Sequence, residues 1–188
     1  MRAAQRSMMP KRRAAAGKID RAAAYPSARG RAEQKGIRDR SDLASIAAAV
    51  ASDRAPQAIA AGQELSFDLA GDKRPIWVRG APFMVAEMIG NLLDNAIRYN
   101  RPGGAVLVSV SDDGRPTIAI EDEGPGIPES DVKLVFERFY RVQREGPSGT
   151  GLGLSIVRTI ADQVGASVAL ANRAGSGLIV IVQFPAAS

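Results

Sequence analysis

Glu87, Asn91 and Asn95 recur every fourth residue within EMIGNLLDNAIRYN (87–100). On a helix they form one polar stripe, backed by Met84, Met88, Leu92 and Ala96. A carboxamide oxygen is a neutral, hard ligand suited to a Mg²⁺ ion that already bridges phosphates, and the amide NH₂ can donate to a phosphate oxygen. Glu87, one turn earlier, is placed to accept a proton from an attacking nucleophile. Any amphipathic helix shows polar groups to solvent, but asparagine is a poor helix former. Two of them four apart in an otherwise apolar segment ask for a reason.

Two glycine-bearing blocks follow, DEGPGIP (122–128) and GTGLGL (149–154). Asp122 ends a strand-like run, and its carboxylate can accept a hydrogen bond from an exocyclic amine, which selects adenine over guanine by polarity. The glycines beside it let the backbone approach a ring closely. A lone D-x-G-x-G more often caps a turn. Gly149, Gly151 and Gly153 open a helical pattern, so their N–H groups and the helix dipole can face an anion. The spacing differs from both the P-loop and the dinucleotide fingerprint. Arg98, Arg138, Arg141 and Arg144 are candidate phosphate partners.

Composition narrows the chemistry. The 188 residues contain neither cysteine nor histidine. Disulfides, thiolate or imidazole metal sites, cysteine nucleophiles and Ser-His mechanisms are therefore excluded, and the chain has no histidine of its own to phosphorylate. The net charge of +5 is unevenly spread: residues 1–40 hold 12 Lys/Arg against 3 Asp/Glu and residues 41–188 hold 13 against 17, giving +9 and −4. The basic segment has one aromatic residue, Tyr25, and no nucleic-acid motif, so it reads as a poorly ordered tail and nucleic acid is not an expected partner. No apolar run approaches the roughly 18 residues of a membrane span, so the chain is expected to be soluble.

The elements that must position these residues follow from periodicity. Ser41 or Asp42 caps a helix carrying Leu43, Ile46, Ala47 and Val50, expected to be interrupted at Pro56 and to stop at Gly62. ELSFDLA (64–70) and PIWVR (75–79) are expected to pair antiparallel. The stripe helix starts near Pro82 and ends about Tyr99. AVLVSVS (105–111) and PTIAIED (116–122) form a hairpin that delivers Asp122. A short helix near 130–136, a mobile loop from about 142 to 150, a helix from Leu152 to Val164, and strands at 167–172 and 177–184 complete the chain. Residues 41–188 form one domain and 1–40 a tail.

In order and spacing, these blocks resemble the catalytic, ATP-binding domain of bacterial sensor histidine kinases, in the GHKL ATPase superfamily shared with gyrase B. EMIGNLLDNAIRYN is similar to the N box, DEGPGIP to the G1 box, VFERFYR to the F box and GTGLGLSIV to the G2 box. The resemblance covers about residues 41–188. It implies an α+β fold: a two-layer α/β sandwich with a mixed sheet of about five strands under three helices. It further implies that Glu87 is the acid/base residue, that Asn91 and Asn95 handle Mg²⁺ and phosphates, and that Arg98 and Tyr99 border the nucleotide. Asp122 would read the adenine amine with Gly124 and Gly126 beside it, and Arg141 would reach the γ-phosphate. Gly149, Thr150, Gly151, Leu152 and Gly153 would line the triphosphate, with Phe136 and Phe139 anchoring the lid. ATP and Mg²⁺ are the implied ligands.

Such kinases carry, upstream, a helical hairpin bearing the phosphoacceptor histidine in a motif like H-E-L-R-T-P-L, behind membrane spans and a sensor. Nothing here matches that motif, and RAEQKGIRDRSDLASI (31–46) resembles at most the end of the second hairpin helix and its linker. The expected acceptor is therefore a histidine-bearing phosphotransfer domain in another chain, serving a response regulator indirectly, in the cytoplasm. A truncated or regulatory ATP-binding module without turnover is the alternative. A serine kinase acting on an anti-sigma-factor antagonist shares the ATP site, but the block wording favours the sensor-kinase branch.

Overall fold

The alternation of AVLVSVSD sets the layering. Val106, Val108 and Val110 on β4 (Ala105–Asp112) are buried, as are Ile118 and Ile120 on β5 (Pro116–Glu121), while the residues between them are half-buried. One sheet face therefore meets helices and the other does not. In the computed structural model, which describes residues 39–71, 75–142 and 149–186, five strands order as β2-β4-β5-β7-β6. Here β2 is Glu64–Leu69, β6 Ser167–Asn172 and β7 Leu178–Gln183. β2 runs parallel to β4 and the other neighbours are antiparallel. Helix α2 (Pro82–Tyr99) packs between α1 (Leu43–Ala60) and α3 (Gly153–Val164) over the sheet. The two-layer sandwich with a mixed sheet of five strands and three helices is thus the architecture observed. The expected tail falls almost wholly on residues 1–38, outside the described residues, as does most of the expected mobile loop (143–148).

Three local expectations are corrected. Strand 64–70 does not pair with 75–79. Instead β3 (Trp77–Arg79) pairs antiparallel with a short β1 (Arg40–Asp42), so residues 40–42 belong to the domain and not to a linker. The N-cap explains the choice. Asp42 Oδ1 accepts from Ala44 N–H at 3.2 Å and from Ile76 N–H at 3.0 Å, Leu43 N–H donates to the Ile76 carbonyl, and buried Ser41 Oγ donates to the Gly80 carbonyl at 2.7 Å. The start of α1 is thereby tied to β3. Pro56 does not interrupt α1. Both Pro56 and Ser52, whose carbonyl loses its helical donor, are exposed, so the missing bond falls on the solvent side of the helix. The helix expected at 130–136 is only a 3₁₀ turn, Leu134–Phe136, preceded by turn bonds at Asp131 and set by Val135 and Phe136 dropping into the core.

Candidate functional site

Helix α2 begins with Pro82 at its first position and buries Val85, Met88, Ile89, Leu92, Leu93, Ala96 and Ile97. That apolar arc leaves Asn91 and Asn95 half-buried at its border and Glu87 exposed. Asn91 Nδ2 donates to the Glu87 carbonyl at 2.9 Å. This bond fixes the amide, so that Oδ1 is the group turned toward α3. A Cβ placed on Gly153 would lie 3.3 Å from Asn91 Oδ1, and 3.2 and 3.4 Å from Asn95 Nδ2 and Oδ1. The first residue of α3 therefore sits directly against both amides. Leu152 makes no side-chain cap bond and the first turn of α3 holds no acid, so its first N–H groups lie beside two amides and have no capping side chain among the described residues.

Asp122 stands at the end of β5, 6% exposed. Its Oδ1 accepts from Gly124 N–H at 2.8 Å and from Leu178 N–H at 3.2 Å, and Oδ2 takes neither bond. Burial pushes the Asp122 carboxyl above the ordinary carboxylate range, although those N–H groups and the Arg173 charge pull the other way. Gly124 abuts the carbonyl of Tyr99, and Asn100 Oδ1 accepts from Glu123 N–H at 3.0 Å. The end of α2 and the loop after β5 are thereby locked together.

Both sets of groups line one cavity of about 250 Å³. Ile120, Ile127, Leu178 and Val180 line it together with Asp122, as do Asn91, Asn95, Arg141 and Gly153. An apolar slot with a single carboxylate suits a flat heteroaromatic ring bearing a donor, and amides with helix N–H groups suit phosphates. No cluster of three acids suited to a metal occurs among the described residues. Beside Gly153 the side-chain oxygens are those of the neutral amides Asn91 and Asn95, which fit a Mg²⁺ ion that brings phosphate ligands of its own.

The expected residues divide by position. Asn91, Asn95, Arg98, Tyr99, Asp122, Gly126, Arg141, Thr150, Gly151 and Gly153 line the cavity. Glu87 lies one turn outside it, exposed. Gly124 and Leu152 are not among the lining residues, and Gly149 approaches the Arg98 guanidinium. Phe136 is core, 3% exposed, whereas Phe139 is 72% exposed with φ 66° and its N–H bonded to the Gly151 carbonyl at 2.9 Å. The two phenylalanines thus differ in place: Phe136 is packed into the core and Phe139 is presented outward. Arg138 is exposed and off the cavity, and Arg144 is outside the described residues. Sequence reasoning missed Asp94, Tyr140 and the apolar slot residues of β5 and β7, which read there only as core.

The sequence pattern described as histidine kinase-, DNA gyrase B- and HSP90-like ATPase matches residues 80–188. The sensor histidine kinase YkoH of Bacillus subtilis is 37% identical over 119 residues, 62% of this chain and 26% of YkoH. The sensor histidine kinase GtrS of Pseudomonas aeruginosa is 39% identical over 107 residues, 56% of this chain and 22% of GtrS. The chain thus spans about a quarter of the length of these curated relatives. Among solved structures, the mycobacterial sensor histidine kinase MprB superposes with a TM-score of 0.68 at 28% identity, covering 80% of this chain and 98% of that one. Full-length ShkA in complex with AMPPNP gives 0.70 at 26% identity, covering 84% of this chain and 33% of that one. No helix among the described residues is long and apolar enough to cross a membrane.

Proposed function

Because the chain belongs to the histidine kinase-, DNA gyrase B- and HSP90-like ATPase family, we propose that it binds Mg-ATP in the cavity between α2, the 122–127 loop and the start of α3, and presents the γ-phosphate to a histidine on another chain. The observation that carries this reading is the approach of Gly153 to Asn91 and Asn95 in the same cavity as Asp122. The adenine lies in the apolar slot, its amine donating to Asp122 Oδ2. The triphosphate runs toward Gly151 and Gly153, where backbone N–H groups and Arg141 meet its charge. Bound Mg²⁺ would be held by Asn91 and Asn95 and would neutralise phosphate charge.

In the transfer, an imidazole nitrogen of the acceptor attacks the γ-phosphorus, the bond to the β–γ bridging oxygen breaks, and ADP leaves. Glu87 accepts the imidazole proton. Its exposed place, one turn outside the cavity, is where an incoming side chain arrives. These 188 residues contain no histidine, which supports an acceptor outside them, and a response regulator would then take the phosphoryl group from it.

Incubation with γ-labelled ATP and a histidine phosphotransfer hairpin protein tests the proposal. Acid-labile label should appear on the hairpin, and Glu87→Gln should cut the rate by about a hundredfold or more. Binding without turnover is the second reading, favoured by the place of Glu87, which is not among the residues lining the cavity. ATP binding with no transfer to any hairpin offered would support it.

A further inference from the structure

The turn joining β6 to β7, residues 172–178, lies behind the 122–127 loop and holds it at successive points. Asn172 pairs with the Ile127 peptide in both directions: its Oδ1 accepts from Ile127 N–H at 2.8 Å and its Nδ2 donates to the Ile127 carbonyl at 2.7 Å. Ser176 Oγ donates to the Gly124 carbonyl at 2.6 Å. Arg173 donates to the Asp122 carbonyl at 2.8 Å while its Nε lies 3.3 Å from Glu121 Oε2. Asp122 N–H donates to the Leu178 carbonyl at 3.0 Å. The fit is close from both sides. A Cβ on Gly126, whose φ is +76°, would lie 2.5 Å from Asn172 Oδ1, and one on Gly177, at φ +113°, would overlap the Asp122 carbonyl.

A loop of sequence Gly124-Pro125-Gly126 has little side-chain packing of its own to hold a shape. Its carbonyls and N–H groups are instead fixed by a turn that begins 45 residues further along the chain. Resting on the reading of the cavity as an ATP site, we infer that Asn172, Arg173 and Ser176 are specificity-determining positioning residues for the base. They hold Asp122 and the loop backbone so that an adenine amine meets the carboxylate while the carbonyl of guanine is rejected. None of them lines the cavity. Rejection of guanine requires a fixed geometry, because a loop free to shift would move the carboxylate away from the guanine oxygen. Loosening the turn therefore erodes base choice before it weakens the grip on phosphate.

The test uses the whole chain and three probes: Mg-ATP, Mg-GTP and inorganic tripolyphosphate, each by titration calorimetry. Ser176→Ala removes one bond and should narrow the ATP-to-GTP preference about fivefold; Asn172→Ala removes two and should narrow it more than tenfold. Tripolyphosphate affinity should stay within about twofold of the unaltered chain in both. If Asn172→Ala does not fold, Ser176→Ala, at an exposed residue, decides alone. An unchanged ATP-to-GTP ratio, or tripolyphosphate binding that falls as far as ATP binding, overturns the inference while leaving the ATP-site reading intact. An unaltered chain that binds ATP no better than tripolyphosphate overturns both.

Discussion

Replacing Gly153 with alanine isolates the contact on which the phosphate end of the cavity depends. The added methyl would stand 3.2–3.4 Å from the three amide atoms of Asn91 and Asn95. That is tight but not a collision, and the amides are the ends of flexible side chains, so the free protein should accommodate it by shifts of a few tenths of an ångström. Gly153 is helical and has no positive φ. Alanine there should leave stability unchanged or raise it by up to about 1 kcal/mol. The methyl nonetheless occupies the space between the amides and the N-terminus of α3, where a phosphate and its cation would have to sit. Loss of one charge-assisted hydrogen bond, about 1.5–3 kcal/mol, corresponds to a rise in Kd for Mg-ATP of roughly 10- to 150-fold. Calorimetric titration with Mg-ATP and with adenosine separates the two ends of the cavity: ATP affinity should fall and adenosine affinity should hold. A variant that binds ATP as well as the unaltered chain, or loses ATP and adenosine in equal measure, refutes the placement of phosphate at Gly153.

Other perturbations have equally definite expectations. Asp122→Asn should cost tenfold or more in ATP affinity, since the acceptor loses its charge. Because burial raises the Asp122 pKa above 3.8, its contribution to stability is fullest below 3.8 and is lost as pH rises through the folded value. The ligand-free Asn variant should therefore melt no lower than the parent at neutral pH, and the gap should close on acidification; a lower melting temperature would count against this. Asp42 has the opposite sign. Desolvation raises its pKa, but bonds from Ser45, Ile76 and Ala44 outweigh that and bring it below 3.8. Asp42→Ala should cost about 1 kcal/mol in denaturant unfolding at neutral pH, a difference that disappears as pH falls through the folded value. Gly177→Ala meets the Asp122 carbonyl at a φ of +113° and should destabilise by about 2 kcal/mol or more, read as a drop in melting temperature. Pro56→Ala, in the exposed interior of α1, should stabilise by about 1–2 kcal/mol, and no gain would mean that the helix is already frayed there.

Local chemistry was legible in the residues themselves. The period of four that groups Asn91 with Asn95, the alternation of β4 and β5, Pro82 at a helix start and the left-handed Gly165 after α3 each depend on neighbours a few positions away. A sequence displays such patterns directly. Strand partnership was not legible. PIWVR is short and its alternation suits any edge, so proximity suggested β2, whereas β1 and the Asp42 cap claimed it through bonds to the Ile76 peptide. The break expected at Pro56 failed for a similar reason, because the exposure of a single carbonyl decides whether water can repair the helix, and exposure belongs to the packed whole.

For the cavity, the chain by itself determined which groups exist: two amides, one strand-end carboxylate, and glycines before a helix. Only the folded molecule decided that they converge, that Asn91 turns its oxygen toward Gly153, and that Phe139 faces outward while Phe136 is core. It also decided that the 122–127 loop takes its shape from residues 172–178, through bonds made largely to backbone carbonyls and N–H groups. Every residue carries those same groups, so a bond to them leaves no mark in the sequence of the segment that receives it.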